Sequence, residues 1–145
     1  MFNKILLVCV GNICRSPMAA FLFRTALADK GYSITSAGVA ALVGEPMDPM
    51  AHQILEEYGF EDSSHRAVQL TRSHVQDADL ILVMDKKLID EVLRIGPEGR
   101  GKTFTLGRWQ GDRPIPDPYK QSHAMFEHTF VLIHEAVGAW IKHLN

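Results

Sequence analysis

Two cysteines are all that this 145-residue sequence contains, and that scarcity excludes the disulfide framework by which small secreted domains make up for a thin core. An excess of charge is missing too. Fifteen Lys and Arg against 17 Asp and Glu leave a formal net charge of -2, which offers no electrostatic footprint for nucleic acid or an anionic membrane. Long hydrophobic runs are absent, so no membrane insertion is expected. The N-terminal stretch Ile5-Leu6-Leu7-Val8 stops at Gly11-Asn12, too short for a signal peptide and followed by no cleavage site, so a cytoplasmic location is expected. No repeat, linker or low-complexity segment interrupts the chain. With 46% apolar and 22% charged residues, it has the make-up of an ordinary globule, and one domain over residues 1–145 is expected.

What is present is alternation. Lys4 to Val8 reads as a strand and Pro17 to Lys30 as a helix stopped by Gly31. Tyr32 to Ala37 is a second strand, and Asp48 caps a helix that starts at Pro49 and ends at Gly59. Leu80 to Met84 is a continuous apolar run, the mark of a strand covered on both faces. Asp85 then caps a helix through Arg94, Thr103 to Leu106 is a last short strand, and Phe126, Phe130, Ile133, Val137, Trp140 and Leu144 line one face of a long terminal helix. The expected fold is α/β: a single-domain three-layer sandwich with a small four-stranded parallel sheet and helices on both faces. Ligands of such sheets bind at the carboxyl ends of the strands.

At the end of the first strand stands Cys9-Val10-Gly11-Asn12-Ile13-Cys14-Arg15-Ser16, followed by Pro17. A strand that turns into a helix aims backbone N–H groups at one spot, where the helix dipole also favours an anion. Gly11 is expected to let the backbone turn, and Asn12 to accept a left-handed conformation, so that successive amides form an anion-binding nest. A cysteine beside the dipole and Arg15 is expected to become a thiolate nucleophile. Arg15 has the planar fork to grip two phosphate oxygens, and Ser16 a hydroxyl to offer the sulfur. Phosphoryl transfer to an oxygen leaving group also needs a proton, and Asp117, stiffened between Pro116 and Pro118, is the candidate acid.

These residues carry a resemblance. Val8-Cys9-Val10-Gly11-Asn12-Ile13-Cys14-Arg15-Ser16-Pro17, then Ser36-Ala37-Gly38, then Asp117-Pro118-Tyr119, in that order, resemble the low-molecular-weight protein tyrosine phosphatases over nearly the whole chain. The similarity is to the bacterial branch paired with kinases of capsule or exopolysaccharide synthesis. The resemblance implies phosphotyrosine hydrolysis through a phosphocysteine on Cys9, phosphoryl binding by Arg15, and proton transfer by Asp117, with no metal and no cofactor. It also implies that Asn12, Ser36 and His65 lock the phosphate loop and that Tyr119 walls the substrate cleft. Animal relatives have an aromatic where this chain has Lys120, and a bulky aromatic in the loop that here reads Val39-Ala40-Ala41-Leu42-Val43-Gly44, so Leu42 is expected to replace that wall. The implied partner is a phosphotyrosine protein, an autophosphorylated bacterial tyrosine kinase; the enzyme itself is expected to be a monomer.

Other readings of the residues are weaker. Gly96-Pro97-Glu98-Gly99-Arg100-Gly101-Lys102-Thr103 matches a nucleotide-binding pattern letter for letter, yet it follows a helix and opens a strand, the reverse of what a phosphate loop needs. Arsenate reduction needs further cysteines as electron relays, and none exists beyond Cys14. A phosphocarrier needs neither Arg15 nor Asp117. His123, His128, His134 and His143 never fall three or four apart, so no helical face pairs them for a metal. Trp109 is expected to pack or to anchor its loop. Peroxide is expected to strike Cys9 first, with Cys14 the sole thiol able to capture the product as a disulfide.

Overall fold

The computed structural model describes residues 2–60 and 64–144. Four strands, β1 (Lys4–Cys9), β2 (Ser33–Gly38), β3 (Leu80–Val83) and β4 (Thr103–Thr105), form one all-parallel sheet in the order β2-β1-β3-β4. Five helices join them: α1 (Arg15–Ala26), α2 (Pro49–Glu57), α3 (Arg72–Asp77), α4 (Lys86–Ile95) and α5 (His123–Lys142). The path from β1 through α1 to β2 runs one way across the sheet, and that from β3 through α4 to β4 runs the other. Right-handed crossovers in opposite directions put α1 and α4 on opposite faces. α5 packs with α1, and α2 packs with α5, whereas α3 packs with α4. The chain reverses direction at β1, so the carboxyl end of β1 is the switch point of the sheet.

The central strands are apolar because both faces are covered. Ile5, Leu6, Leu7 and Val8 of β1 and all four residues of β3 are buried. From α5, Phe126, Phe130, Ile133, Val137 and Trp140 enter the core, at a spacing that keeps them on one helical face. Leu144 lies past the end of α5 and is only half-buried.

Several element boundaries differ from the sequence reading. α1 starts at Arg15, so Pro17 is its third residue, still in the turn where an N–H has no partner to lose. It stops at Ala26 because Asp29 (φ 64°) and Gly31 (φ 79°) take left-handed backbone that cannot continue a helix. Met84 leaves β3 and accepts instead from Ile115 N at 2.9 Å. The short helix α3 was not foreseen. Thr71 Oγ1 accepts from His74 N, and His74 Nδ1 accepts from Thr71 N at 2.9 Å, a capping box closed by histidine where Glu or Gln is usual.

Candidate active site

Residues 9–16 form a tight loop from the end of β1 to the first turn of α1. The left-handed backbone falls on Asn12, as expected, at φ 60°, and Gly11 turns without a positive φ. Asparagine accepts that conformation because its side chain bonds locally, and here those bonds are many. Asn12 is fully buried, donates through Nδ2 to Ser16 Oγ (2.8 Å) and Ser36 Oγ (3.0 Å), and accepts at Oδ1 from Val68 N (2.9 Å). His65 Nε2 lies 2.6 Å from Asn12 O. A carbonyl only accepts, so Nε2 carries the proton. Ser36 and His65 therefore both reach the loop through the same asparagine.

Cys9 is 2% exposed. Its Sγ sits 2.8 Å from Ser16 Oγ and accepts from Asn12 N at 3.3 Å. Because Ser16 Oγ already accepts from Asn12 Nδ2, its own proton is free to point at the sulfur. Cys14, also buried, is held as a neutral thiol: burial pushes its pKa far above the ordinary range, and the negative charge of Asp48, Cys9 and Asp117 adds to the effect against a smaller opposing pull from Arg15. A thiol so held is a poor nucleophile at neutral pH.

Arg15 is almost wholly buried. One amino nitrogen donates to Ile115 O at 2.9 Å, and the other lies 3.7 Å from Asp117 Oδ2. Asp117 Oδ1 accepts from Tyr119 N at 3.1 Å, a turn that faces the half-exposed carboxylate toward the loop. Cys9, Arg15 and Asp117 border one cavity of about 160 Å³, which is floored by residues 10–14 and walled by Ala40, Leu42 and Tyr119. Leu42 and Tyr119 are each 40% exposed, so apolar surface stands open at the rim while the charges lie at the base. A phosphoryl group at the base and an aryl ring between Leu42 and Tyr119 suit that division.

The sequence left the roles of three supports of this cavity unread. Gly38 closes the noted Ser36-Ala37-Gly38 run, and a Cβ there would stand 2.4 Å from Val10 O, so only glycine lets β2 approach the loop. Gln69 clamps the wall loop with its amide, accepting from Ala41 N at 3.0 Å and donating to Val39 O at 2.9 Å. Asp48 N donates to Ile13 O at 2.8 Å, tying the start of α2 to the loop. No local sequence signal marks these contacts, which join residues far apart in the chain.

The remaining candidates lie elsewhere. The segment 96–103 forms a 3-10 turn, Pro97–Gly99, that leads into β4, and Lys102 Nζ is spent on Ala78 O at 2.5 Å. A turn that leads into a strand is the reverse of a phosphate loop. Trp109 stacks on His143 at 3.7 Å and meets Trp140 edge-on, which makes it a packing residue. His123 pairs with Glu57 at 2.9 Å, and among the described residues no group of histidines, cysteines and carboxylates is arranged to hold a metal.

Residues 4–145 match the model of the family described as low molecular weight phosphotyrosine protein phosphatase. The chain belongs to that family. It is 44% identical over its full length to the probable low molecular weight protein-tyrosine-phosphatase AmsI of Erwinia amylovora, covering 99% of that protein. It is 40% identical to the Wzb phosphatase of Salmonella typhimurium, covering 96% of it. Among solved structures, Vibrio vulnificus Wzb in complex with benzylphosphonate superposes with a TM-score of 0.94 at 44% identity, over 99% of this chain and 100% of that one. The α/β architecture is therefore that of the low-molecular-weight phosphatases, and this enzyme is a cysteine-based protein-tyrosine-phosphatase. Among the described residues no helix is long and apolar enough to cross a membrane.

Proposed function

We propose that Cys9, Arg15 and Asp117 carry the phosphatase chemistry in the following order. The Cys9 thiolate attacks the phosphorus of a phosphotyrosine held by Arg15 and the amides of the loop; the bond to the phenolic oxygen breaks, and Asp117 gives that oxygen its proton. Asp117, now ionised, takes a proton from water, which attacks the phosphocysteine; phosphate leaves and the thiolate returns. Ser16 steadies the sulfur whenever it carries charge. The observation that carries the assignment is the convergence of Cys9 Sγ, the Arg15 fork and the Asp117 carboxylate on one cavity, with Arg15 and Asp117 3.7 Å apart.

The apolar rim of Leu42 and Tyr119 favours an aryl phosphate. A second reading comes from the YwlE arginine phosphatase of Geobacillus stearothermophilus, 33% identical over 98% of this chain with a TM-score of 0.91. A guanidinium leaving group calls for an acidic wall, and among the described residues Asp117 is the only carboxylate that lines this cavity. The resemblance to the capsule and exopolysaccharide branch makes an autophosphorylated tyrosine kinase the substrate of choice, met in the cytoplasm by a monomer. The test is phosphate release from matched phosphotyrosine, phosphoserine and phosphoarginine peptides and from the phosphorylated tail of such a kinase. Turnover confined to phosphotyrosine peptides and the tail supports the assignment; faster release from phosphoarginine overturns it.

A further inference from the structure

Prolines lock φ at positions 116 and 118, but they leave the peptide plane between Pro116 and Asp117 free to swing, and that plane sets the direction of the Asp117 side chain. Its carbonyl is held from outside the loop. Pro116 O accepts from Thr129 Oγ1 at 3.2 Å. Thr129 lies in the first half of α5, has no exposed surface, and sits beside the core residues Phe126, Phe130 and Ile133. A threonine in a helix ordinarily returns its hydroxyl to the carbonyl one turn earlier, as Thr25 does to Phe21 O at 3.0 Å. Thr129 gives its proton to the acid loop instead. One residue upstream, Ile115 O accepts from Arg15 and Ile115 N donates to Met84 O. Two consecutive carbonyls ahead of Asp117 are thus each held by a buried side chain, one from α1 and one from α5.

We infer that Thr129 is a positioning residue for proton transfer: its hydroxyl fixes the Pro116–Asp117 peptide plane and so aims the Asp117 carboxyl at the leaving oxygen. This rests on the reading of Asp117 as the proton donor. Thr129 borders no part of the cavity, so it acts through the loop and not on substrate.

The experiment compares Thr129→Val, which keeps the buried volume and drops the hydroxyl, with Thr129→Ser, which keeps the hydroxyl, in the full chain. The readout is kcat/KM for aryl phosphates whose phenols range from acidic to weakly acidic, together with its pH profile. Loss of one aligning hydrogen bond should cost Thr129→Val about fivefold on the poorest leaving group. The loss should fade toward the most acidic phenol, and Thr129→Ser should follow the wild-type leaving-group slope even where its smaller side chain lowers stability. In an Asp117→Asn background, Thr129→Val should cost nothing further. A loss equal for all leaving groups, or one that persists undiminished in the Asp117→Asn background, overturns the inference. A wild-type leaving-group slope in Asp117→Asn alone strikes at the acid assignment itself and is told apart from those results.

Discussion

Asn12→Ala is the substitution that asks most of the site's scaffold. It removes a fully buried amide that makes three side-chain hydrogen bonds, to Ser16 Oγ, Ser36 Oγ and Val68 N. At about 1 kcal/mol net for each bond, the loss is roughly 3 kcal/mol. The alanine must also hold the left-handed backbone of φ 60°, which adds about 1 kcal/mol. The sum, about 4 kcal/mol, is a large part of the ~5–15 kcal/mol that separates a domain of this kind from its unfolded chain. With a urea m-value of about 2 kcal/mol/M, the unfolding midpoint should fall by about 2 M. Asn12→Gly loses the same bonds but not the strain, so it should unfold later than Asn12→Ala. Both should also lose turnover, because Ser16 is no longer held beside the Cys9 sulfur. The assay is urea unfolding followed by far-UV circular dichroism, with steady-state hydrolysis of an aryl phosphate measured in parallel. A midpoint shift for Asn12→Ala below about 0.5 M, or a glycine variant less stable than the alanine one, would refute the reasoning.

Other perturbations probe other parts of the molecule. Asp117→Asn should slow phosphotyrosine hydrolysis by about 10² to 10⁴, and much less a phosphate whose phenol leaves unaided; equal losses in steady-state rates on the two would remove Asp117 as proton donor. After peroxide, dithiol treatment should restore more activity to wild type than to Cys14→Ser. Because burial holds Cys14 protonated, the gap should widen as pH rises from about 7 to 9; equal recovery at every pH would deny Cys14 a protective role. Glu98, bonded to Arg72 and Gln76, has its pKa drawn down from the usual glutamate value to about 2. A depressed folded-state pKa stabilises above the unfolded range and is lost as pH falls through the folded value. Glu98→Gln should therefore unfold more readily than wild type at neutral pH, and by a much smaller margin near pH 2, as read by thermal melts at the two pH values.

Local chemistry was legible in the sequence, and long-range support was not. The loop from Cys9 to Ser16 is continuous, so its thiol, guanidinium and hydroxyl could be read together, and Asp117 stood out through its flanking prolines. The covered strands declared themselves by unbroken apolar runs, as at Leu80 to Val83. The left-handed backbone at Asn12 was legible from its residue type, but the bonds to Ser16, Ser36 and Val68 that hold it there were not. Gly38 has an ordinary φ, and its need for glycine comes from Val10 O across the β1–β2 pair. Gln69 and Thr129 act on loops 30 and 13 residues away, and nothing in their own neighbourhoods announces it. α3 is six residues long and closed by histidine, below what periodicity or the usual capping pattern reveals.

The central claim, that phosphate passes through a covalent bond to Cys9, is open to one direct measurement. The enzyme is mixed with an aryl phosphate, quenched in acid within a single turnover, digested and examined by mass spectrometry under acidic conditions. A phosphoryl group on Cys9, which disappears on the timescale of turnover and is absent from Cys9→Ser, is the predicted result. Phosphate on Cys14, or rapid product release with no adduct at Cys9 at any quench time, would contradict it.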